Sequence, residues 1–419
     1  MGAFRLEANY ILHRSDAPNS FRQVIIMNRW LSFLTFFSLF SLAYGGVHFY
    51  LYRRIRRHTR LPRAFYQVLA VFFGMMVVSP VVSRMLVWER FFVFGYALTY
   101  VSSLWIGFVF YLFLISLISD FGGLAYGLLR RIRAGSGSVR LPGNYKVFIV
   151  TVIIPLVICV YAYYEALDIR VTNVRIHTAK LPEGTNDLVI AQISDAHLGV
   201  IIGEGRLKKI TGLLRRINPD IIVSTGDLVD QEVDNINHLA RELSALTPPL
   251  GKYAVMGNHE FYAGVGKSSE FIKKSGFRLL RGECIKVREI INIVGIDDPA
   301  GRPFGVKGEK DVAQLVSQCH PGLFTLFLFH RPPNAEDYVT NLPIDLQLSG
   351  HTHGGQLYPF GFVTRIFFPL KTGLYVLNGR RLYVSRGVGT WGPPLRFLTP
   401  PEIVVVRLTR EPSHQRSGQ

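Results

Sequence analysis

Two histidines separated by one residue, His351 and His353, stand in the stretch Gly-His-Thr-His-Gly-Gly at residues 350–355. A largely apolar run, residues 344–348, precedes them. Residues i and i+2 of an extended strand point to the same face, so two imidazoles at the end of that strand can converge on one point. The flanking glycines let another group approach the backbone closely. The spacing indicates metal binding, although one His-x-His pattern is weak evidence alone.

Four apolar runs upstream also end at residues that can bind a metal. They end at Asp195 and His197 after 188–193, at Asp227 after 221–223, at Asn258 and His259 after 253–256, and at His330 after 324–329. In sheets covered by helices, ligands collect beyond the strand ends, where loops project side chains into a crevice. A single such residue is more often a turn cap or a surface histidine. Five runs that end this way, in this order, favour one shared site.

The candidate ligands offer imidazole nitrogen, carboxylate oxygen or amide oxygen. They are Asp195, His197, Asp227, Asn258, His330, His351 and His353. Such donors suit first-row divalent ions such as Mn²⁺, Fe²⁺ or Zn²⁺. Seven ligands are too many for one tetrahedral zinc, but they suit two ions about 3.5–4 Å apart that share one carboxylate. A structural zinc site would be a closed cage of four ligands, commonly with cysteines.

The elements that must position these residues are short strands and amphipathic helices. Residues 206–217 carry apolar side chains at helical spacing, and strands are predicted where β-branched residues cluster. The other predicted helices are 235–246, 268–275 and 310–319, and the later predicted strands are 291–294, 381–384 and 403–406. Helix–strand alternation followed by strand-rich sequence predicts a layered α/β domain.

The region before this domain is predicted to cross a membrane. A spanning helix needs about 20 mostly apolar residues. The runs that meet this requirement are 30–52, 65–82, 91–118 and 147–164. Buried core helices are the alternative, which runs of this length with almost no charge disfavour. Residues 121–129 are short and glycine-rich, so a fifth span is the minority interpretation.

The distribution of charged residues predicts how the chain is oriented in the membrane. The formal net charge is +18, and up to Asp168 there are 17 Lys and Arg against 6 Asp and Glu. Most of this excess is arginine in loops 53–63 and 130–146. Short basic loops stay in the cytoplasm, so four spans would place the following domain on the outer face of the membrane, and a fifth would reverse it. This pattern is a topology signal, and no nucleic-acid partner is expected.

The three cysteines show no metal-binding spacing. Cys159 lies in an apolar run, and Cys284 and Cys319 lie in the α/β region without a Cys-x-x-Cys pattern. The sequence does not decide whether Cys284 and Cys319 pair.

The order of motifs Asp-x-His, Gly-Asp-x-x-Asp, Gly-Asn-His-Glu, His and Gly-His-x-His, over residues 189–356, resembles the calcineurin-like metallophosphoesterase family. The stretch Gly-His-Thr-His-Gly-Gly-Gln after an N-terminal membrane region is similar to the membrane-associated phosphodiesterase branch of that family. The resemblance implies an α/β fold, in which a transmembrane helix bundle precedes a four-layer β-sandwich of two mixed sheets flanked by helices.

The resemblance also implies a role for each candidate residue. Asp195, His197 and His353 would bind the first metal, Asn258, His330 and His351 the second, Asp227 would bridge the two, and His259 would face the substrate as a non-ligand histidine. By this resemblance, a water between the two ions would become hydroxide near neutral pH and would attack phosphorus in line. His259 would stabilise the phosphoryl oxygens or protonate the leaving oxygen. Asp230 either orients a ligand histidine or caps a loop.

These observations predict four segments and a function. The segments are an N-terminal extension at 1–26, a transmembrane region of about four helices at 27–165, a calcineurin-like phosphoesterase domain at 169–410 and a disordered tail at 411–419. We expect a multi-pass protein of the cytoplasmic membrane that hydrolyses a phosphodiester, pyrophosphate or phosphomonoester. A lipid or envelope substrate is favoured because the anchor holds the site near the bilayer.

Three alternatives remain open from the sequence. The metal site could belong to a catalytically silent sensory or interaction module. The bundle could be a transporter, which the scarcity of charge within the spans disfavours. The apolar stretch 360–370 could either meet lipid, as a surface or an acyl-chain groove, or pack as ordinary core. The oligomeric state is not predicted.

Overall fold

A computed structural model of the chain describes residues 19–134, 145–185, 187–230, 236–304, 312–333 and 342–411. The chain forms two compact units, Met1–Tyr161 and Ala162–Gln419. Parts of three predicted segments lie outside the described residues: 1–18 of the N-terminal extension, 135–144 of the second basic loop and 412–419 of the tail.

The first unit is built from long apolar helices. They are α1 Asn19–His58, α2 Arg63–Trp88, α3 Phe92–Ala134 and α4 Tyr145–Leu167, the last of which ends in the second unit. Among the described residues, three helices are long and apolar enough to cross a membrane: Arg63–Trp88, Phe92–Arg133 and Tyr145–Leu167. The predicted span 30–52 lies within α1, and the side chains of residues 19–34 are not described. Residues 121–129 continue α3 and do not form a separate helix.

An aromatic and aliphatic cluster joins the first three helices. It contains Tyr44, Leu51, Phe73, Val109 and Leu112. Nearby, the buried guanidinium of Arg54 lies 3.0 Å from a carboxylate oxygen of Asp120 and donates a hydrogen bond to Thr151. Many apolar side chains of α2 to α4 are exposed, including Val68, Phe94 and Val157. A helix with apolar residues all round is typical of a membrane span.

The described part of the second unit contains twelve strands in two sheets. In chain order they are β1 Arg170–Thr178, β2 Asp187–Ile193, β3 Ile221–Ser224, β4 Lys252–Ala254, β5 Arg278–Leu279, β6 Glu283–Val287, β7 Ile291–Gly295, β8 Phe324–Leu328, β9 Leu346–Ser349, β10 Gly373–Leu377, β11 Arg380–Val384 and β12 Glu402–Arg410. The first sheet has the order β1-β12-β2-β3-β4-β5, and the second has the order β10-β11-β9-β8-β7-β6. Both mix parallel and antiparallel pairs.

Short helices accompany the strands. They are α5 Glu204–Ile217, α6 Asn237–Ser244, α7 Asn258–Ala263, α8 Val265–Lys274, α9 Val312–Ser317 and α10 Gly361–Phe367, with 3-10 turns at Pro299–Phe304 and His353–Gly355. These helices cover the four segments predicted as helical, apart from their ends. The starts of two of those predicted segments, at Asn235 and at residues 310–311, lie outside the described residues.

The apolar side chains form layers, which explains why the strands read as continuous hydrophobic runs. Residues such as Ile190, Leu326 and Val404 fill the space between the two sheets. The outer face of the first sheet packs on α5, α6 and α8, and α9 covers part of the second sheet. Strands buried on both faces form near-continuous hydrophobic runs. The predicted four-layer sandwich flanked by helices is confirmed.

Parallel pairing brings the ends of the candidate strands together. Strands β2, β3 and β4 are mutually parallel in the first sheet, as are β8 and β9 in the second. The carboxyl ends of parallel neighbours lie at the same edge of their sheet. The loops that follow β2, β3 and β4 therefore begin side by side, as do those that follow β8 and β9.

The two cysteines of the α/β domain pair. Cys284 in β6 forms a disulfide with Cys319, which follows α9, and the two are 35 residues apart in sequence. The sequence left this pairing open because spacing alone does not report proximity in space.

Candidate metal centre

Five candidate ligands adopt the left-handed backbone conformation. The φ angles are 53° at Asp195, 47° at His197, 51° at Asp227, 72° at His351 and 49° at His353. This region is uncommon for residues with a side chain, and such residues cluster at functional sites. The conformation turns each loop sharply just after its strand ends, so the side chains point into one space and not along the strand.

Close packing of the loops requires glycine at two positions. Gly257 lies against the backbone and carboxylate of Asp227, and Gly350 lies against the side chains of Ser194 and Asp195. A Cβ atom at either glycine would overlap these neighbours. The two glycines therefore let loops from different strands approach closely enough for their side chains to share a site.

The first group of donors consists of Asp195, His197 and His353. The Nε2 atoms of His197 and His353 are 3.1 Å apart, and Nε2 of His353 is 3.6 Å from Oδ1 of Asp195. All three residues are buried. The three donor atoms lie within 4.8 Å of one another, so they could hold one metal ion.

The second group consists of Asn258, His330 and His351. Nε2 of His330 is 3.1 Å from Oδ1 of Asn258 and 3.1 Å from Nδ1 of His351. The other ring nitrogen of His330, Nδ1, is 2.9 Å from the carbonyl oxygen of Thr225, which fixes the orientation of the ring. A ligand histidine is commonly oriented by such a contact through its second nitrogen.

Asp227 lies between the two groups. Its Oδ2 atom is 3.2 Å from Nε2 of His330 in the second group and 3.8 Å from Nε2 of His197 in the first. The backbone N–H of His259 donates to its other oxygen at 2.9 Å. One carboxylate oxygen therefore faces donors from both groups, which is the geometry that a shared ligand requires.

The chemistry of this donor set fits divalent cations. Imidazole nitrogens that face each other at 3.1 Å need a shared proton or cation between them. Burial lowers the pKa of His197 to about 4 and places the pKa values of His351 and His353 well below the usual range. These imidazoles are therefore neutral at pH 7 and keep a lone pair for a metal. The buried carboxylates of Asp195 and Asp227 supply negative charge.

His259 lies beside the ligands and contacts Asp230. Nδ1 of His259 is 3.0 Å from Oδ1 of Asp230, and its ring centroid is 4.6 Å from that of His197. Burial disfavours the charged imidazolium, but the carboxylates of Asp227 and Asp230 outweigh it and raise the pKa of His259 to about 9. His259 can therefore carry a proton at neutral pH. Asp230 hydrogen-bonds this histidine and lies 3.9 Å from Nδ1 of His197.

Sequence reasoning missed two buried charged residues that support the site. Glu260 accepts hydrogen bonds from the backbone N–H groups of Asp227, Gly257 and Val229, so it joins two ligand loops. Its place in Gly-Asn-His-Glu was the available signal. Arg396 is fully buried and has Nη2 3.2 Å from Nδ1 of His353. No local pattern marks Arg396, because its contact with His353 spans 43 residues.

Comparisons with known proteins identify relatives of this chain. The family model for calcineurin-like phosphoesterases matches residues 188–355. An uncharacterized metallophosphoesterase of Aquifex aeolicus is 40% identical over 59% of this chain and 95% of its own length. A transmembrane protein with metallophosphoesterase domain of Danio rerio is 32% identical over 72% of this chain and 70% of the relative. An uncharacterized metallophosphoesterase of Campylobacter jejuni is 28% identical over 90% of this chain and 98% of the relative.

The matched range contains the seven donors that the loops bring together, together with His259. It begins in β2, before Asp195, and ends at Gly355, just after His353. We conclude that this chain belongs to the calcineurin-like phosphoesterase family, the metal-dependent hydrolases of phosphoester bonds.

Proposed function

We propose that the protein is a membrane-anchored phosphohydrolase that uses two divalent ions. The first ion would be held by Asp195, His197 and His353, the second by Asn258, His330 and His351, and Asp227 would bind both. The position of Asp227 carries this proposal, because its Oδ2 atom faces a histidine of each group at 3.2 and 3.8 Å. Donors of this type favour Mn²⁺, Fe²⁺ or Zn²⁺.

The chain's own residues would orient the reaction around the ions. Bound ions of this kind activate water and neutralise the oxygens of a phosphoryl group. His259 would donate a proton to the leaving oxygen through the ring nitrogen that does not contact Asp230. Asp230 would hold the ring in place by its hydrogen bond to Nδ1. General-acid help of this kind contributes about 10²–10⁴ in rate.

The short connection between the candidate anchor and the domain supports a proposal for the substrate class. Helix α4 ends at Leu167 and strand β1 begins at Arg170. Two residues span at most about 7 Å, so β1 begins close to the end of a candidate span. We favour a phosphodiester or pyrophosphate of a lipid or envelope component, because such a substrate is concentrated in the layer that the domain occupies.

The function test compares metal content and hydrolysis of a soluble aryl phosphodiester in the full chain. We expect Asp227→Asn to lose bound metal and activity together. We expect His259→Ala to keep its metal and lose about 10²–10⁴ in rate. His238→Ala, an exposed histidine on α6, is the matched control and should behave as wild type. Full activity in both site variants would refute the proposal, and bound metal without hydrolysis would favour a silent metal-binding module.

We also propose that the domain lies on the outer face of the cytoplasmic membrane. The two arginine-rich loops support this orientation. The disulfide between Cys284 and Cys319 supports it too, because disulfides persist in oxidising compartments.

The orientation can be tested with introduced cysteines in a Cys159→Ser background. The exposed residues Lys209 on α5 and Arg60 between α1 and α2 are suitable positions. Lys209→Cys should react with an impermeant maleimide in intact cells, and Arg60→Cys should react only after lysis. The reverse pattern would place the domain in the cytoplasm.

A further inference from the structure

Two half-exposed aromatic side chains flank His259. The ring of Tyr262 on α7 lies 5.6 Å from the imidazole, centroid to centroid, and the ring of Trp391, in the segment between β11 and β12, lies 6.2 Å from it. His259 itself is buried, whereas Tyr262 is 52% exposed and Trp391 is 56% exposed. We call Tyr262 and Trp391 the aromatic pair. The exposed surfaces of the pair therefore lie beside the candidate acid of the metal centre.

The backbone of Trp391 is fixed to the metal-binding stretch by Gln356. This residue ends the stretch 350–356, is buried and is not a candidate ligand. Its side-chain amide accepts a hydrogen bond from the N–H of Trp391 at 2.9 Å. The same amide donates to the carbonyl oxygens of Trp391 at 2.9 Å and of Pro393 at 3.0 Å. The position of the Trp391 ring is thus set by the loop that carries two candidate ligands.

Tyr262 is fixed by the helix that carries the candidate acid. Helix α7 begins with Asn258 and His259, so Tyr262 follows them at i+4 and i+3 and lies on the same side of the helix. Its side chain also hydrogen-bonds that of Asn258. Both members of the aromatic pair are therefore held in place by the metal-binding segments, which lowers the entropy that a ligand would lose on binding.

Aromatic side chains arranged in this way indicate a binding surface. A single exposed apolar residue is common on protein surfaces and needs no explanation. The aromatic pair differs because both rings lie at one buried histidine, on backbone that belongs to the metal centre. Small-molecule sites are lined mainly by apolar and aromatic side chains around a few polar groups. The pair has the arrangement of one wall of such a site.

The proposed role of His259 determines which part of a substrate meets this wall. When the bond from phosphorus to the leaving oxygen breaks, that oxygen takes up a proton, which His259 supplies in the proposed function. The attacking and leaving oxygens lie roughly in line on opposite sides of phosphorus. The leaving group therefore lies on the His259 side, against the aromatic pair, and the group that stays on phosphorus does not.

We propose that the aromatic pair binds the leaving group and selects phosphodiesters whose leaving alcohol carries a ring. A ring can pack on aromatic side chains, whereas a small alkyl group buries little surface there. A phosphate leaving group, as in a pyrophosphate, would meet two aromatic rings that offer it no positive charge. This inference rests on the proposed function and narrows its substrate to a phosphodiester of an aromatic alcohol or a sugar.

Binding of non-hydrolysable phosphonates tests the pair without catalysis. The full chain with Mn²⁺ in detergent is titrated calorimetrically with benzylphosphonate and with methylphosphonate, which share the metal-binding group and differ in the ring. Wild type should bind benzylphosphonate about tenfold more tightly, as expected for packing a ring on an aromatic side chain. Trp391→Ala should remove this preference by weakening benzylphosphonate alone, and Trp391→Phe should keep most of it. Phe362→Ala, at an exposed aromatic residue on α10, is the matched control and should bind both ligands as wild type does.

A saturated ring distinguishes the two sources of the leaving group. Cyclohexylmethylphosphonate carries a ring of similar size without π electrons. If it binds as tightly as benzylphosphonate, the pair packs on ring surface in general, as binding of a sugar requires. If it binds only as tightly as methylphosphonate, the pair selects an aromatic ring.

Gln356 is the positioning residue for Trp391 in this proposal. Gln356→Ala removes the three hydrogen bonds that fix the backbone at residues 391 and 393. The preference for benzylphosphonate should therefore fall as in Trp391→Ala, while metal content and the Kd of methylphosphonate stay at their wild-type values. Weaker binding of methylphosphonate would show that Gln356 supports the metal centre as a whole and would remove this assignment.

Hydrolysis shows on which side of phosphorus the ring lies. Trp391→Ala should lower kcat/KM about tenfold for methyl 4-nitrophenyl phosphate and less than about twofold for methyl trifluoroethyl phosphate. Phenyl 4-nitrophenyl phosphate adds a ring to the group that stays on phosphorus, so its loss should equal that of the methyl nitrophenyl ester. A larger loss on the phenyl ester would place the aromatic pair against the retained group and overturn the assignment.

Two results of the titrations would also overturn the inference. Equal Kd values of benzylphosphonate and methylphosphonate for wild type would show that no ring binds beside His259. An equal loss of affinity for both ligands in Trp391→Ala would show that this residue supports the site as a whole. If wild type hydrolyses none of the esters, the proposed function fails, while the titrations still decide whether the aromatic pair binds a ring.

Discussion

The buried carboxylate of Glu402 offers a quantitative test of how the sandwich supports its metal site. It begins β12, in the first sheet, and is fully buried. Its oxygens accept hydrogen bonds from the hydroxyl of Thr172 at 2.6 Å, from the backbone of Arg386 at 2.9 Å and from the hydroxyl of Tyr383 at 3.2 Å. The guanidinium of Arg386 pairs with it at 2.5 Å. Glu402 therefore joins β1 and β12 to the end of β11 in the second sheet.

The loop that Glu402 holds lies directly beneath a candidate ligand. The backbone N–H of Val388 donates to the carbonyl oxygen of Ser194 at 2.9 Å, and that of Gly389 donates to Asp195 at 3.0 Å. Gly387 has a φ of 78° and packs on the Cβ atom of Asp195. A shift of this loop would consequently move Asp195, so the substitution should affect metal binding as well as stability.

Glu402→Gln keeps the shape of the side chain and removes its charge. Removing one partner from a fully buried ion pair costs about 3–5 kcal/mol. The Arg386 side chain is 24% exposed, so water can partly solvate the guanidinium left behind. We therefore expect a loss of about 2–3 kcal/mol, which corresponds to roughly 5–10 °C in Tm for a domain of this size. Metal affinity should fall about tenfold, as for other residues that orient ligands.

The measurement is the thermal unfolding of the full chain in detergent, with metal content determined on the same samples. Glu283→Gln is the matched control, because Glu283 also pairs with an arginine, Arg278, at 3.0 Å but is exposed. Exposed pairs contribute about 0–1 kcal/mol, so this control should unfold near wild type.

The pH dependence of stability offers an independent test of this ion pair. Burial opposes ionisation of Glu402, but Arg386 and Thr172 outweigh it and lower its pKa below 4.5. The stabilisation is thus present above pH 4.5 and is lost as the pH falls through the folded-state pKa, so wild type and Glu402→Gln should converge in acid. An equal Tm for both at neutral pH, or a difference that grows in acid, would refute this account.

Three further predictions concern the metal centre. Asp230→Asn removes a carboxylate that raises the pKa of His259, so the alkaline limb of the pH–rate profile should move to lower pH; an unmoved limb would show that His259 is not the acid. Chelation should lower the Tm of wild type, and added Mn²⁺ should restore it. Mn²⁺ at 100 times the Kd should add about 2.7 kcal/mol to the free energy of unfolding, whereas Asp227→Asn should respond to neither treatment. Arg396→Lys should destabilise the protein by about 2–4 kcal/mol and weaken metal binding, because an ammonium cannot replace the several hydrogen bonds of the guanidinium. Arg215→Lys, on the exposed side of α5, is its control. Equal free energies of unfolding for the two variants would contradict a supporting role for Arg396.

Local sequence patterns predicted much of the fold and of the candidate site. The β-sandwich strands that precede Asp195, Asp227, Asn258, His330 and His351 are largely apolar, and the change to polar and glycine residues after them is visible in the sequence. The family and the layered fold predicted from that order are confirmed. The structure also brings the predicted donors together, since the order of parallel strands places their ends at common edges.

The sequence alone therefore determined the features that are written in local patterns. These are the long apolar helices, the strands and the motifs that follow the strands. Tertiary structure alone decided which distant groups meet. It paired Cys284 with Cys319, set Glu402 against Arg386 and placed Trp391 beside His259. The physical reason is that burial and pairing depend on the packing of whole layers, and one residue's neighbours along the chain do not report which side of its element another layer covers.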